Sequence, residues 1–423
     1  MENLNIKDIL IKMNTYSKLC VIASVLLLTT NPAYADNLSG NINLEVSHYQ
    51  NDPVFNTQYD HSRSISSALI FERQLNNGMG LFSFHPFIRI GDTDKQRNHF
   101  DIRELMWAHA HDSWEFNVGI SKVYWGITES QQLTDIINQT DRVEGIDGDD
   151  KLGQPILSFS KQFSVVNIDL YILPGFRERI FPGKDGNMKL PFTINSENPT
   201  YESNDGRNHV DVAFSLQGNT NGLDYYLSYF WGTSRDPSFN FENDLSLTPY
   251  YPQIQQIGLA LEYLIGDWIF KFEAINREGQ GDNYFATTSG FEYTLYGVFN
   301  SAANITLYAE YLFDERDDYI YDTLFQNNLS DGSSISIFED DAFVGIGINF
   351  NRSSSGSEPD ILATLSVDRE TKSKVINVEG RYNFDNDVSV KIEAIAFRDF
   401  ESYNYFSFIQ QNQLIKLSFV KLF

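Results

Sequence analysis

From residue 36 to the end of the chain, apolar and polar residues alternate with a period of two, in segment after segment. An extended chain turns successive side chains to opposite faces, so each such segment is a strand with one apolar and one polar face. Clear instances are Val210, Val212, Phe214 and Leu216; Tyr225, Leu227, Tyr229 and Trp231; Ile305, Leu307, Ala309, Tyr311 and Phe313; and Val388, Val390, Ile392 and Ala394. The connections are short and long in turn. Short ones carry turn residues, as in Asn219-Thr220-Asn221-Gly222 and Asp385-Asn386-Asp387, where Asn, Asp and Gly tolerate the backbone angles of a tight hairpin. Long ones cover residues 50–62, 125–153, 175–208, 234–253 and 314–339. Residues 351–359, rich in Ser and Gly, form a longer turn on the short side. The pattern predicts an all-β fold, a single transmembrane antiparallel β-barrel of about 18 strands over residues 36–423. A count of about 16 is the alternative, because residues 100–111 and 360–368 alternate less cleanly.

The chain ends support a membrane location. Counting back in twos from Phe423, the final residue, gives Phe419, Leu417 and Ile415, with Lys416 and Ser418 between. This segment resembles the closing strand of Gram-negative outer-membrane barrels, whose assembly machinery reads a C-terminal aromatic. That resemblance makes Phe423 the assembly signal. Lys421 departs from the pattern on the apolar face, where a Lys near the rim can reach water. At the other end, Lys18 precedes an apolar run over residues 19–30, and Ala33-Tyr34-Ala35 follows as a small-x-small cleavage site. Residues 1–35 therefore read as a cleavable signal peptide, too short to span a bilayer as a helix. The resemblance implies short periplasmic turns and long extracellular loops.

Composition fits an exported barrel. The only cysteine, Cys20, lies in the signal segment, so disulfides and thiol chemistry are excluded from the mature chain. Mean hydropathy is negative, at -0.32, because only alternate residues of such a barrel face lipid. The formal net charge of -26 argues against nucleic-acid partners, since no basic stripe exists to neutralise phosphates. Much of the acid lies in the long connections, as in Asp147-Gly148-Asp149-Asp150 and residues 314–318. These are either solvated loops or places where divalent cations bridge to anionic lipopolysaccharide.

If the apolar set faces lipid, the other set lines the lumen. Candidate pore-lining residues are Arg89, Glu262, Lys271, Glu273, Glu292, Glu310, Arg381, Lys391, Glu393 and Lys416, with Asp211 and Glu379 on the same faces. Charges of both signs suit a water-filled passage and not a packed interior. Two histidines, His109 and His111, share a strand face, but two ligands without a nearby Cys or carboxylate rarely hold a metal. No Gly-x-Ser-x-Gly elbow occurs, and the sequence points to no enzyme activity and no cofactor.

Alternation stops in residues 125–141. Thr128 followed by Gln131 has the spacing of a helix capping box, and Leu133, Ile136 and Ile137 mark one helical face. A short helix over residues 129–138 is expected. Its apolar face needs a wall, which either the barrel mouth or the neighbouring loops provide. In the first case Glu129, Gln132 and Asp135 line a constriction. The whole pattern is similar to substrate-selective porins and alginate-export-type channels, and this segment to outer-membrane proteins of proteobacteria. The resemblance implies passive passage of small solutes, with lipid, lipopolysaccharide and the barrel assembly machinery as partners. The alternative is a plugged barrel that acts as a receptor or adhesin through its acidic loops.

Overall fold

The computed structural model describes residues 37–51, 55–75, 78–145, 148–189, 192–242, 246–316, 340–350, 360–384, 387–400 and 409–423. The signal segment, the turn at 351–359 and most of the loop at 314–339 lie outside the described residues.

The strands follow the alternation. They are β1 (Asn37–Tyr49), β2 (His61–Leu75), β3 (Gly80–Gly91), β4 (His99–His111), β5 (Trp114–Ser121), β6 (Gln154–Gln162) and β7 (Val166–Pro174). Two short loop strands follow, β8 (Thr193–Ile194) and β9 (Thr200–Tyr201), then β10 (Val210–Thr220) and β11 (Leu223–Thr233). Loop strands β12 (Ser238–Phe241) and β13 (Ser246–Tyr251) precede β14 (Gln253–Ile265), β15 (Trp268–Glu278), β16 (Tyr284–Leu295) and β17 (Asn304–Asp314). The chain closes with β18 (Asp341–Asn349), β19 (Ile361–Asp368), β20 (Lys374–Phe384), β21 (Val388–Arg398) and β22 (Leu414–Leu422). Eighteen of these form one sheet, each antiparallel to its neighbour, and β1 pairs with β22 to close it. Both less regular segments, in β4 and β19, are strands of the wall, so the higher count holds. Closure leaves the wall no unpaired edge, which a bilayer would penalise. Strands β8, β9, β12 and β13 make a separate four-stranded sheet within the long loops.

Register fixes which face is which. Leu227, Ile257, Leu307, Ile346 and Phe419 are exposed on the outward face. Leu307 sits opposite Tyr293 and Ile346, so a continuous apolar band runs across neighbouring strands. Val212 and Leu261 share that face, opposite Trp231 and Phe272 respectively. Lys421 lies opposite Val388 at the short-turn end, and its ammonium is 3.8 Å from Asp387 in the adjoining turn. The departure from the apolar pattern thus falls at the rim. His109 and His111 also face outward and stack on Trp107 and Trp114, each pair with ring centroids 5.9 Å apart.

Backbone pairing of the last residue completes the seam between β1 and β22. Gly40 N–H donates to the Phe423 carbonyl at 3.0 Å, and Phe423 N–H donates back at 3.1 Å. A Cβ on Gly40 would lie 2.7 Å from the Ala68 carbonyl oxygen and 2.8 Å from the Phe423 ring, so only glycine leaves room for that ring.

Buried apolar side chains concentrate where a loop meets the inside of the wall. Trp125, Ile136 and Ile137 of the loop pack with Ile156, Leu173, Ala213, Phe230 and Ile254. The barrel therefore holds part of its own chain.

Candidate functional site

Residues 122–145 and 148–153, between β5 and β6, enter the lumen. The expected helix over residues 129–138 is not formed; these residues make turns. The reason lies in the wall. Leu133 packs against Ile275, Tyr284, Ala286 and Leu312, whereas Ile136 and Ile137 pack in the Trp125 cluster. One helical face cannot reach both places. The Thr134 N–H, which a helix would direct to the residue four back, donates instead to Glu273 Oε2 at 2.9 Å. The single Thr128 hydroxyl proton lies between two acceptors, the Gln131 carbonyl at 2.8 Å and Glu273 Oε1 at 3.0 Å, the reverse of a capping role.

Two wall carboxylates organise this segment. Glu273 of β15 is fully buried and accepts from the N–H groups of Ile127, Thr128 and Thr134 and from the hydroxyls of Thr128 and Thr134, at 2.6–3.1 Å. Glu310 of β17 accepts from the N–H groups of Glu129 and Ser130 at 2.9 and 2.8 Å and from the Ser130 hydroxyl at 2.6 Å. Lys271, on β15, holds Glu129 at 2.9 Å and pairs with Glu292. Glu129 and Gln132 remain exposed on the loop's free side. Asp135 does not join them. Its side chain is 3% exposed and pairs with Lys151 on the return limb of the same loop. Burial pushes the Asp135 carboxyl up, against the pull of Lys151.

The return limb is tied to the opposite part of the wall. Arg89 makes a two-pronged contact with Glu144 at 2.7–2.9 Å and reaches Glu45 at 3.3 Å. Arg103 donates to Asp141 at 2.7 Å and to the Lys151 carbonyl at 2.8 Å. Arg97, in the β3–β4 connection, donates to Glu45 at 2.6 Å and to the Val143 carbonyl at 2.9 Å. Outer loops press on the same segment. Arg235 donates to the Ile137 carbonyl at 3.0 Å and to Asp211 at 2.6 Å, and Arg179 donates to Gln139 at 3.0 Å. Asp211 is completely buried by these contacts.

Beyond the loop lies a cavity of about 180 Å³. Lys391, Glu393 and Lys416 of β21 and β22 line one side with Glu45; Arg142 and Glu144 of the loop line the other. The charges of this wall pair with one another: Lys391 with Glu379 at 2.6 Å and Lys416 with Glu393 at 2.7 Å. The ten sequence-derived candidates all lie on inward faces but divide into groups. Glu273, Glu310, Lys271 and Glu292 face the loop or each other, and Arg89 is buried against Glu144. Lys391, Glu393 and Lys416 face the cavity. Arg381 and Glu262 are register partners of Lys391 and Lys271 respectively. Alternation could not find Arg97, Arg142 or Arg179, because they stand in connections where no period constrains the side chain.

No family model matches the sequence, and neither does any curated protein. Solved structures do match in fold. One is the Escherichia coli outer-membrane protein Wzi, described as a carbohydrate-binding β-barrel involved in group 1 capsule assembly. It is 11% identical, with a TM-score of 0.52 over 97% of this chain and 89% of that one. Acinetobacter baumannii OccAB1 is 8% identical with a TM-score of 0.52 over 92% and 97% of the two chains. Pseudomonas aeruginosa OccD3 is 10% identical with a TM-score of 0.50 over 94% and 96%. With its closed antiparallel wall, outward apolar band and inward charges, the chain has the fold of a porin-like outer-membrane β-barrel.

Proposed function

We propose that the protein is an outer-membrane channel for passive passage of small polar solutes, narrowed by residues 122–153. The observation that carries this reading is the fixing of the loop against the inner wall by Glu273 and Glu310, beside a cavity whose walls bear both signs of charge. Such a passage tolerates hydrated solutes and rejects apolar ones, because burial of its charges away from water would be costly. The exported, signal-bearing chain would reach the outer membrane and assemble through Phe423.

The test is single-channel conductance in planar bilayers, for the intact protein and for one lacking residues 128–138. The intact protein is expected to conduct, and the deletion to conduct more while still migrating as a folded barrel. Equal conductance would place the narrowing elsewhere. A second reading, a plugged barrel serving as a surface receptor, is favoured by the packing of Arg179 and Arg235 on top of the inner loop. That reading expects no conductance from the intact protein.

A further inference from the structure

The outward face is apolar at mid-height, but its long-loop end is not uniform. Across β14 to β17 that end carries Gln255, Asn276, Glu278 and Glu315, all exposed and without a cation among them. Gln255 and Glu278 sit directly opposite each other. Across β20, β21, β1 and β2 the same end carries Lys374, Arg398, His48, His61 and Arg63. Lys374 lies opposite Arg398, and His48 opposite His61. Arg63 faces outward beside Val46, which is 44% exposed in the apolar band below. Three permanent cations, Lys374, Arg398 and Arg63, thus stand in one outward sector of a chain with a formal net charge of -26.

Two of these, Arg63 and Arg398, have no ion-pair partner among the described residues. Arg398 donates to neutral groups, the Phe397 carbonyl at 3.0 Å and the Gln413 side-chain oxygen at 2.8 Å. The Arg63 backbone N–H is taken by Asp92 at 2.8 Å, while its guanidinium has no ion-pair partner among the described residues. Lys374 pairs with Asp399, which is itself exposed, so the ammonium stays reachable. A guanidinium at the edge of an apolar band meets the headgroup layer of the outer leaflet. Phosphate is the anion there that a planar fork of donors fits.

We propose that this sector is a docking patch for the phosphate groups of outer-leaflet glycolipid, with Arg63 and Arg398 as its direct contacts. The proposal rests on the outer-membrane reading. It differs from bridging by divalent cations on the acidic loops, because direct contact needs no metal.

The test uses the full-length barrel in detergent with EDTA and measures bound lipid by native mass spectrometry. The probes are lipid A bearing its phosphates, the same lipid after phosphate removal, and inorganic phosphate. Phosphorylated lipid A should stay bound in EDTA, and removal of its phosphates should weaken retention. The Arg63→Gln/Arg398→Gln double variant should lose retention roughly tenfold or more, as expected for losing charge-assisted contacts. Glu278→Gln, in the other sector, should leave retention unchanged. Loss of lipid in EDTA from the unaltered protein would overturn the proposal in favour of cation bridging. Full retention by the double variant would overturn it as well. Displacement by millimolar inorganic phosphate would assign the cations to a soluble anion instead of a lipid. Heat-modifiable migration is scored alongside; its absence in the unaltered protein would remove the outer-membrane reading itself and the patch with it.

Discussion

Strands β14 to β17 and strands β20 to β22 carry the same alternation and the same kinds of inward charge, yet they use those charges differently. On the first wall, Glu273 and Glu310 accept hydrogen bonds from the backbone and hydroxyls of the inner loop. On the second, Lys391 pairs with Glu379 and Lys416 with Glu393, and Lys391, Glu393 and Lys416 face the cavity. A carboxylate with no cation needs several donors to offset its desolvation, and only a folded-in segment brings five of them to Glu273. A mixed pair satisfies itself and leaves the space in front of it open. The lesson is that inward charge alone does not mark a pore: on the first wall it holds the loop, and on the second it pairs within the wall.

The largest expected effect breaks the first wall. In Glu273→Ala the buried loop donors lose their acceptor, and each unsatisfied donor costs about 1–3 kcal/mol. The loop should detach, with conductance rising toward that of the 128–138 deletion. If conductance in Glu273→Ala matches that of the unaltered protein, Glu273 is not what holds the loop.

The next effect tests the lipid side of the same strands. Leu307→Arg should lower stability by about 2–4 kcal/mol if the position lies near the bilayer midplane, read from urea unfolding in lipid vesicles. Glu310→Arg, on the opposite face, should chiefly alter conduction. A reversed ranking would invert the assigned register.

A smaller effect is expected on the second wall. Lys416→Gln removes one cation from the cavity without placing a second carboxylate beside Glu393, so reversal potentials should shift toward cation preference while the barrel stays folded. No shift would take Lys416 out of the solute path.

The smallest effect concerns pH. Burial raises the Asp141 carboxyl, but the hydrogen bond and charge of His99 and the charge of Arg103 outweigh it and hold the carboxyl below its ordinary value. A group depressed in the folded state contributes fully above its unfolded pKa, about 3.9, and that contribution fades as pH falls through the lower folded value. The Asp141 tie should therefore hold from neutral pH down to about pH 4 and loosen only below it. A conductance step near pH 6 would assign the change to another group.

Much of this was legible in the sequence. Alternation located the strands, including the facing of Leu307 and Glu310, because a two-residue period survives any tertiary context that keeps the chain extended. The burial of Leu133, Ile136 and Ile137 was also legible, since apolar residues in a long loop need a wall. Their shape was not. Capping chemistry and spacing favoured a helix, but Glu273 lies far away in sequence and competes for the same N–H groups only once the barrel has closed. Asp135 was misplaced for the same reason: its partner Lys151 arrives on the return limb.

Local period and turn chemistry thus determined an antiparallel barrel, because each depends on residues close together in the chain. Tertiary structure alone decided which inward charges hold the loop and which face the cavity. That choice depends on which donors and countercharges closure brings within about 3 Å of each carboxylate, and hydrogen-bond geometry at that range cannot be read from spacing along the chain.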